Sequence, residues 1–290
     1  MLIATLATLA ISLAQSGDTA SMTVGRGDRF ELTARSGEIT IRTWNRNTVQ
    51  VRSERSGGAA LARRGSTVTI RTSGRYDAED DFDVTVPAWM DLSLNDQSGD
   101  VHVTGSNASI AIQSVDGDID VRGGNGVITL TSVQGGVSLR DAQGKISLSS
   151  VNSDVSGSGL HGDVMAQTIN GEITLDRIES DNVDANTVNG DVTFDGPIRS
   201  GGRYRFVTHN GDIAVSVQEN ADATVSVSTF QGEFEAGFPV SISPRLSEHD
   251  KKRFTFTLGS GSARIELESF QGTMRLQRPL GQSGQTRSRR

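Results

Sequence analysis

Residues 110–154 decide the fold, because in blocks of nine they read IAIQSVDGD IDVRGGNGV ITLTSVQGG VSLRDAQGK ISLSSVNSD. Each block opens with an apolar residue and has a second one two positions later, which is the spacing of one buried face of a short β-strand. The phase then shifts before a polar or Gly-containing corner. The stretch therefore predicts short strands separated by tight bends.

The nine-residue spacing continues on both sides of this stretch. Nine consecutive steps of nine residues, then steps of ten and nine, separate the first apolar residues of the blocks: Leu92, Val101, Ile110, Ile119, Ile128, Val137, Ile146, Val155, Val164, Ile173, Val183 and Val192. A similar corner returns every two blocks, as QSVDG (113–117), TSVQG (131–135), SSVNS (149–153), QTING (167–171) and NTVNG (186–190). We therefore predict an all-β, single-stranded β-solenoid (β-helix) with about 18 residues per rung, made of two nine-residue units.

This geometry predicts two side-chain ladders along one corner. The first ladder is Ser114, Ser132, Ser150, Thr168 and Thr187, and the second is Asp116, Gln134, Asn152, Asn170 and Asn189. Stacked amides bond to one another or to the backbone of the turn. No proline occurs between Pro87 and Pro197, as a continuous ladder of strands requires.

The flanks follow the same pattern more loosely, so we predict one elongated β-solenoid domain over 15–278. Within it, 28–90 hold the N-terminal strands, 91–199 the regular rungs and 200–278 a wider, aromatic-rich end, since eight of the ten Phe lie at 194 or later. We expect a larger loop at 238–253. Residues 279–290 are rich in Gly, Gln, Ser and Arg and are predicted to be a disordered basic tail.

The amino terminus has the pattern of an export signal. The run from Leu2 to Leu13 is apolar or small, and it predicts a signal peptide at 1–14 with cleavage before Gln15. The alternative is a buried first strand or helix. The run is shorter than the ~20 residues that span a bilayer, and no other run approaches that length. We therefore expect a mature chain without an integral membrane segment, periplasmic or secreted to the cell surface.

Composition excludes several classes of protein and site. There is no cysteine in the 290 residues, which rules out disulfides, zinc–thiolate sites and a cysteine nucleophile. The formal net charge of −7 divides unevenly: 15–75 carries a net +6, 76–198 a net −17 and 199–290 a net +4. An acidic middle would repel phosphates, so nucleic acid is not the expected partner.

A resemblance to a known family follows from several ordered segments. These are SGEITI (36–41), WNRNTVQV (44–51), DVTVP (83–87), SGDVHV (98–103), HNGDI (209–213) and FQGEF (230–234). The set is similar to the DUF4097 family, which carries an adhesin label, over about 28–278. The resemblance implies a bacterial β-solenoid, often exported or associated with the envelope. It brings no catalytic residues.

Three motifs suggest ligand chemistry, and each has a structural alternative. Asp116, Asp118 and Asp120 alternate along one strand and would offer carboxylates to calcium, but such sites need six or more oxygens. The sequence GGNGVI at 123–128 resembles a calcium-roll repeat, but it does not recur and lacks the aspartate. The G-x-G-x-x-G at 157–162 falls inside the β repeat, whereas a dinucleotide site needs that motif to open a helix.

Histidines and acidic corners receive structural interpretations. His102, His161, His209 and His249 show no spacing typical of a metal or acid–base set, and His209 is expected to be partly buried at a bend. The acidic corner residues, expected to accept turn amides, are Asp100, Asp118, Asp154, Asp163, Asp191 and Asp212. The alternative is that this column of carboxylates attracts divalent cations or basic surfaces. We assign no catalytic, cofactor-binding or metal-ligating residue and expect no cofactor.

These observations favour a non-enzymatic, extracytoplasmic β-solenoid that acts as an adhesin or envelope scaffold. Its expected partner is a cell-envelope polymer or envelope protein. One alternative is a regulatory partner of a membrane sensor in envelope stress, which an adjacent sigma-factor or sensor-kinase gene would favour. The other is a carbohydrate-active β-helix enzyme, in which acidic residues would cluster in a cleft.

Overall fold

The computed structural model describes residues 19–53, 59–72, 81–218, 220–240, 243–244 and 252–279. Within those ranges every regular element is a β-strand, which confirms the all-β prediction. The predicted signal peptide (1–14), most of the predicted loop (238–253) and all but the first residue of the predicted tail (279–290) lie outside the described residues. The chain divides into two compact units, one ending at Leu130 and the other beginning at Thr131.

The first unit is built from short strands. In chain order they are β1 (Thr19–Thr23), β2 (Arg29–Thr33), β3 (Ile39–Trp44), β4 (Thr48–Ser53), β5 (Ala59–Arg64), β6 (Thr67–Thr72), β7 (Phe82–Pro87), β8 (Asp91–Ser98), β9 (Val101–Ser106), β10 (Ile110–Asp116), β11 (Ile119–Gly123) and β12 (Asn125–Thr131). They form two sheets, in the orders β1-β4-β7-β3-β9-β11 and β12-β10-β8-β2-β6-β5.

In this unit the repeat spacing is also the pairing register. Leu92 lies opposite Ile110 in a parallel pair, and Val101 lies opposite Ile119, so paired residues are 18 apart. Phe30 also lies opposite Leu92, because β2 and β8 are neighbours in the sheet although five strands, β3 to β7, separate them along the chain. Strands β4 to β7 lie beyond β2 and β3 in the two sheets, where β4 pairs antiparallel with β7 and β5 pairs antiparallel with β6.

The second unit continues the same pattern of short strands. In chain order they are β13 (Val137–Arg140), β14 (Gln143–Ser149), β15 (Val155–Ser158), β16 (His161–Gln167), β17 (Ile173–Asp176), β18 (Asn182–Asn186), β19 (Val192–Phe194), β20 (Arg203–Asn210), β21 (Ile213–Ser216), β22 (Ala223–Thr229), β23 (Glu233–Ala236), β24 (Ser243–Pro244), β25 (Lys252–Leu258), β26 (Ala263–Gln271) and β27 (Thr273–Gln277). Its sheets have the orders β13-β15-β17-β19-β21-β27-β23 and β14-β16-β18-β20-β26-β22-β25-β24.

The last two long strands of the second unit insert between earlier ones. β26 lies parallel between β20 and β22, so that Ile265 is opposite both Tyr204 and Val225. β27 lies in the same way between β21 and β23. The chain therefore passes beyond the position of one rung and returns to fill it. The nine-residue pattern alone gives no sign of this return.

The core lies between the two sheets of each unit. Alternate residues of β14 and β17, such as Leu148 and Leu175, are completely buried. Gly157 on β15 packs among them, and a β-carbon there would lie 2.7 Å from the Cδ1 atom of Leu160 and 3.0 Å from the Cδ2 atom of Leu175. Pairing at offsets of 18, 19 and 21 residues fits the expected rungs, but the single-stranded solenoid path itself stays a prediction.

Candidate functional site

The recurring corner of the second unit is held by buried hydroxyl groups. Ser150 donates to the carbonyl oxygen of Gly135 at 3.0 Å, and Thr168 donates to that of Ser153 at 2.8 Å. Thr187 and Thr208 make the same bond further along, and all four side chains are buried. A buried hydroxyl needs a partner, and here the turn backbone supplies it. The predicted Ser/Thr ladder is therefore a structural device.

Beside it runs the predicted ladder of side-chain amides. Asn210 donates to the Oδ1 atom of Asn189 at 2.8 Å, Asn189 to that of Asn170 at 2.9 Å, and Asn170 to that of Asn152 at 3.0 Å. Each inner asparagine thus donates once and accepts once. The ladder is exposed to solvent, and its amide groups are engaged with one another.

An apolar column lies at the same corner, between the two ladders. Its outward side chains include Val133, Ile169 and Val188, which are 38%, 46% and 40% exposed. The equivalent position in the alternate corners holds Leu160 or Ile178, both completely buried. The two corners of the repeat therefore differ: one buries its apolar side chain and the other presents it to solvent.

Aromatic rings continue this column at the carboxyl-terminal end. The imidazole of His209 stacks on the ring of Phe270 with centroids 4.6 Å apart, and Phe270 stacks on Phe230 at 4.8 Å. His209 is exposed, so the expectation of a partly buried side chain was wrong. The bend points outward here, as it does at Val188. Stacked rings cover one another's faces and leave mainly their edges to solvent.

The acidic corner residues mostly serve the backbone, as expected. Asp154 accepts the amide of Glu172 at 2.8 Å, Asp191 accepts that of Asp212 at 2.8 Å, and Asp212 accepts that of Thr273 at 2.7 Å. In the first unit, Asp100 accepts the amide of Asp118 at 2.8 Å. A carboxylate used in this way links one turn to the next.

Asp163, unlike the acidic corner residues that accept backbone amides, lines a groove on the outer face of a sheet in the second unit. The groove encloses about 400 Å³ and crosses β14, β16, β18, β20 and β26. Its lining side chains are Lys145, Asp163, Met165, Asn182, Asp184, Arg203, Arg205, Arg264 and Glu266, with backbone and buried neighbours beneath them. Ligand sites commonly enclose about 300–1,000 Å³ and combine apolar surface with a few convergent polar groups.

The sheet register fixes two rows of side chains across this groove. One row runs from Asn182 to Arg203 and Arg264, which lie directly opposite one another on β18, β20 and β26. The next row places Arg205 between Asp184 and Glu266. Alternation along each strand turns both rows to the same face.

Tyr204 anchors β20, the strand of the groove next to β26, from below. Its hydroxyl donates to the carbonyl oxygen of Ser180 at 2.8 Å and accepts the amide of Arg199 at 2.8 Å. The side chain is almost completely buried, and burial raises the pKa of the phenol. Its ring also lies 5.9 Å from that of Phe194. This anchoring fixes Arg203 and Arg205, which flank Tyr204 and point the other way.

The charges of the groove are incompletely paired. Arg205 lies 3.5 Å from Asp184, and Asp163 accepts a hydrogen bond of 2.8 Å from the amide of Asn182. Neither Arg203 nor Arg264 has a carboxylate within ion-pair distance among the residues that the structure describes. The groove thus presents two guanidinium groups that the rest of the fold does not use.

The other sequence motifs do not form sites. Within the described ranges, no three His, Asp or Glu side chains are grouped closely enough to hold a metal ion, so Asp116, Asp118 and Asp120 make no such group. The 157–162 glycine motif spans the end of β15 and the start of β16, two strands and no helix. His161 lies 3.4 Å from Glu179, and His102 lies 3.9 Å from Glu38.

The groove is the feature that sequence reasoning missed. Arg203 and Arg205 occupy outward positions two residues apart on β20, and Arg264 occupies an outward position between two apolar residues on β26. That alternation is visible in the sequence. The neighbouring position of Arg203 and Arg264 is not, because 61 residues separate them and only the return of β26 brings them together.

No helix in the described part of the chain has the length and apolar character needed to cross a membrane.

Comparison with known proteins gives a family and several distant structures. The chain is similar to a "putative adhesin" from Bacteroides fragilis (13% identity, 89% of this chain and 95% of the other, TM-score 0.41). It is also similar to a "putative adhesin" from Parabacteroides distasonis (11%, 90% and 97%, 0.34). A third is a "putative cell adhesion protein" from Clostridium sporogenes (6%, 91% and 100%, 0.23). No curated protein matches the chain.

The family described as Toastrack DUF4097 matches residues 126–277. That segment is more than half of the chain and contains all the strands that line the groove. It also contains two of the segments that carry the resemblance in the sequence, HNGDI and FQGEF. The chain belongs to the DUF4097 family.

Proposed function

We propose that this chain is a non-enzymatic, extracytoplasmic binding module of the cell envelope, an adhesin or scaffold that holds an envelope polymer or envelope protein. The scaffold is a single-stranded β-solenoid with about 18 residues per rung. Parallel pairing of Val137 with Val155, and of Val155 with Ile173, supports that path. The location at the cell surface or in the periplasm rests on the export pattern of residues 1–14.

The observation that carries the proposal is the groove across β14 to β26. The ladders and the acidic corners have a structural role, since their polar groups form hydrogen bonds with neighbouring turns of the chain. The groove is different, because Met165 is 43% exposed at its floor and two of its guanidinium groups have no partner among the described residues. A groove that combines apolar surface with a few convergent polar groups is typical of a ligand site.

Capture by envelope material tests the proposal. The full mature chain should be retained by isolated envelope polymers, and Met165→Glu should weaken retention by placing a carboxylate at the floor of the groove. Val127→Glu is the matched control, because Val127 is 57% exposed on β12, outside the groove. The proposal fails if the chain is retained by no envelope fraction, or if both variants bind as well as the parent.

The enzymatic alternative has one observation in its favour. Asp163, Asp184 and Glu266 line the same groove, and paired carboxylates carry out glycoside hydrolysis. A screen of acidic and neutral polysaccharides for released sugar decides the matter. Release of sugar that is lost in Asp184→Asn would replace the binding role with a catalytic one.

A further inference from the structure

We propose that the groove binds a carboxylate-bearing sugar residue of an envelope polysaccharide, with Arg203 and Arg264 as the carboxylate ligands. This inference rests on the proposed function and names the class of its ligand. The observation behind it is the juxtaposition of two arginines, unpaired within the described chain, on neighbouring strands at the edge of a concave, partly apolar surface.

Arg203 and Arg264 lie directly opposite one another on parallel strands. Strand neighbours in a sheet are about 4.8 Å apart, and like charges at that position repel. The third arginine of the groove, Arg205, is by contrast paired with Asp184. A bound anion between the two guanidinium groups would remove the repulsion and give both groups a partner.

The chemistry of the pair selects an oxyanion. A guanidinium group is planar and offers its N–H groups as a fork that matches a carboxylate or phosphate, whereas an ammonium group acts as a point charge. Because Arg203 and Arg264 extend from directly opposed positions on neighbouring strands, both guanidinium groups can reach the same oxyanion.

The charges that line the groove favour a ligand group with one negative charge over a group with two. The lining carries four cations, Lys145 and the three arginines, against three carboxylates. The surplus of one matches a carboxylate, while a phosphate dianion would meet uncompensated repulsion.

The other lining groups suit the hydroxyl-bearing ring of a sugar. The carboxylate of Asp163 and the amide of Asn182 form an acceptor and donor pair at 2.8 Å. The thioether of Met165 provides exposed apolar surface beside them. Together they offer hydrogen bonds to hydroxyls and contact with carbon-bound hydrogens of the ring.

The charge distribution also limits the contact to this end of the sheet. Residues 76–198 carry a net −17, so a polyanion laid along their strands would be repelled. Arg203, Arg205 and Arg264 belong to the basic segment after 199. We therefore expect recognition of one acidic residue or a short acidic end, with little gain from longer acidic chains.

Calorimetric titration of the full mature chain with tetragalacturonate, and with its neutral methyl ester, tests the inference. The acid should bind and the ester should not. Arg203→Ala and Arg264→Ala should each weaken binding about tenfold or more, as expected for loss of a charged hydrogen bond. Arg264→Lys keeps the charge without the fork, so it should lose part of the affinity.

Arg253→Ala provides the matched control. Arg253 is an exposed arginine on β25, and its strand belongs to the same sheet but does not line the groove. Its loss should leave the affinity unchanged. Thermal unfolding of each variant shows whether it is folded, and the comparison of acid with ester needs no variant.

Several results would overturn the inference. These are equal binding of acid and ester, equal loss of affinity in Arg253→Ala and Arg264→Ala, full affinity in both groove variants, or binding of poly(glycerol phosphate) but not tetragalacturonate. If the chain is retained by envelope material and yet ignores tetragalacturonate, the sugar assignment fails and the binding function stands. If the chain is neither retained by envelope material nor binds tetragalacturonate, both the sugar assignment and the binding function fail.

Discussion

Asp96 stands where other rungs place a buried serine or threonine, since it lies opposite Ser114 on β10. The side chain is 5% exposed, and neither carboxylate oxygen has a well-formed hydrogen bond among the described residues. Burial raises the pKa of Asp96 to about 6, against a smaller opposing effect of the nearby Gln97 and Ser98 amides. A buried carboxylate of this kind is held more readily in its neutral form.

Stability should therefore depend on pH through Asp96. Because the folded-state pKa lies above the ordinary value of 3.8, the stabilisation is complete below about pH 4 and is lost as pH rises through about 6. Asp96→Asn should raise the free energy of unfolding at pH 7.5 by about 1–3 kcal/mol and flatten this dependence. Denaturant titrations at pH 4.5 and 7.5 measure both effects. Glu268→Gln, at an exposed carboxylate, should change neither.

Gly190 shows how closely the turns of the second unit approach. A β-carbon there would collide with the carbonyl oxygen of Gly171, and the φ angle of +152° is one that L-residues seldom adopt. Gly190→Ala should destabilise the fold by more than about 2 kcal/mol, because the obstacle is backbone and cannot move aside. Gly25→Ala, with nothing within 4 Å of the added carbon, should have little effect. A comparable loss in both variants would show that close approach is not the cause.

At the scale of elements, the amide ladder has a direction that can be tested. Asn189 donates to Asn170 and accepts from Asn210, so Asn189→Asp sets one acceptor against another. We expect a loss of about 0.5–1.5 kcal/mol at neutral pH, the net contribution of one hydrogen bond, because the ladder is exposed to solvent. Gln271 donates in a similar way to the side-chain oxygen of Gln231 at 3.1 Å, so Gln231→Glu keeps its bond and should be tolerated. Equal losses in the two variants would contradict this directionality.

The strands and corners of the regular repeat could be predicted from the sequence, whereas departures from the repeat could not. The spacing from Val101 to Val192 predicted the strands, and the corner residues predicted both ladders, because each depends on residues 18 or 19 apart. The insertion of β26 could not be predicted, since the pairing of Tyr204 with Ile265 spans 61 residues. The groove depends on that insertion, and it was therefore missed.

At the scale of the molecule, the proposed solenoid of 18-residue rungs predicts that one whole rung can be removed. Deletion of residues 155–172 joins Asp154 to Ile173 and should leave a cooperatively folded chain, because Val137 then meets Ile173 as it now meets Val155. Deletion of 155–171 shifts the register by one residue and turns every following side chain to the wrong face. Circular dichroism and thermal unfolding should show folded and unfolded chains respectively. Equal behaviour of the two deletions would count against the solenoid.

The amide ladder also bears on the chemical ageing of the chain. Asn170, Asn189 and Asn210 each precede a glycine, the context in which an asparagine most readily cyclises and deamidates. In the fold the nitrogen that would attack is already donated: Gly171 to Asn189 and Gly190 to Asn210, each at 3.0 Å, and the side-chain amides are held in the ladder. Intact rungs thus slow a reaction that an unfolded chain undergoes freely. The fraction of these asparagines converted to aspartate, measured by mass spectrometry, would therefore report the accumulated time that the corner has been locally unfolded.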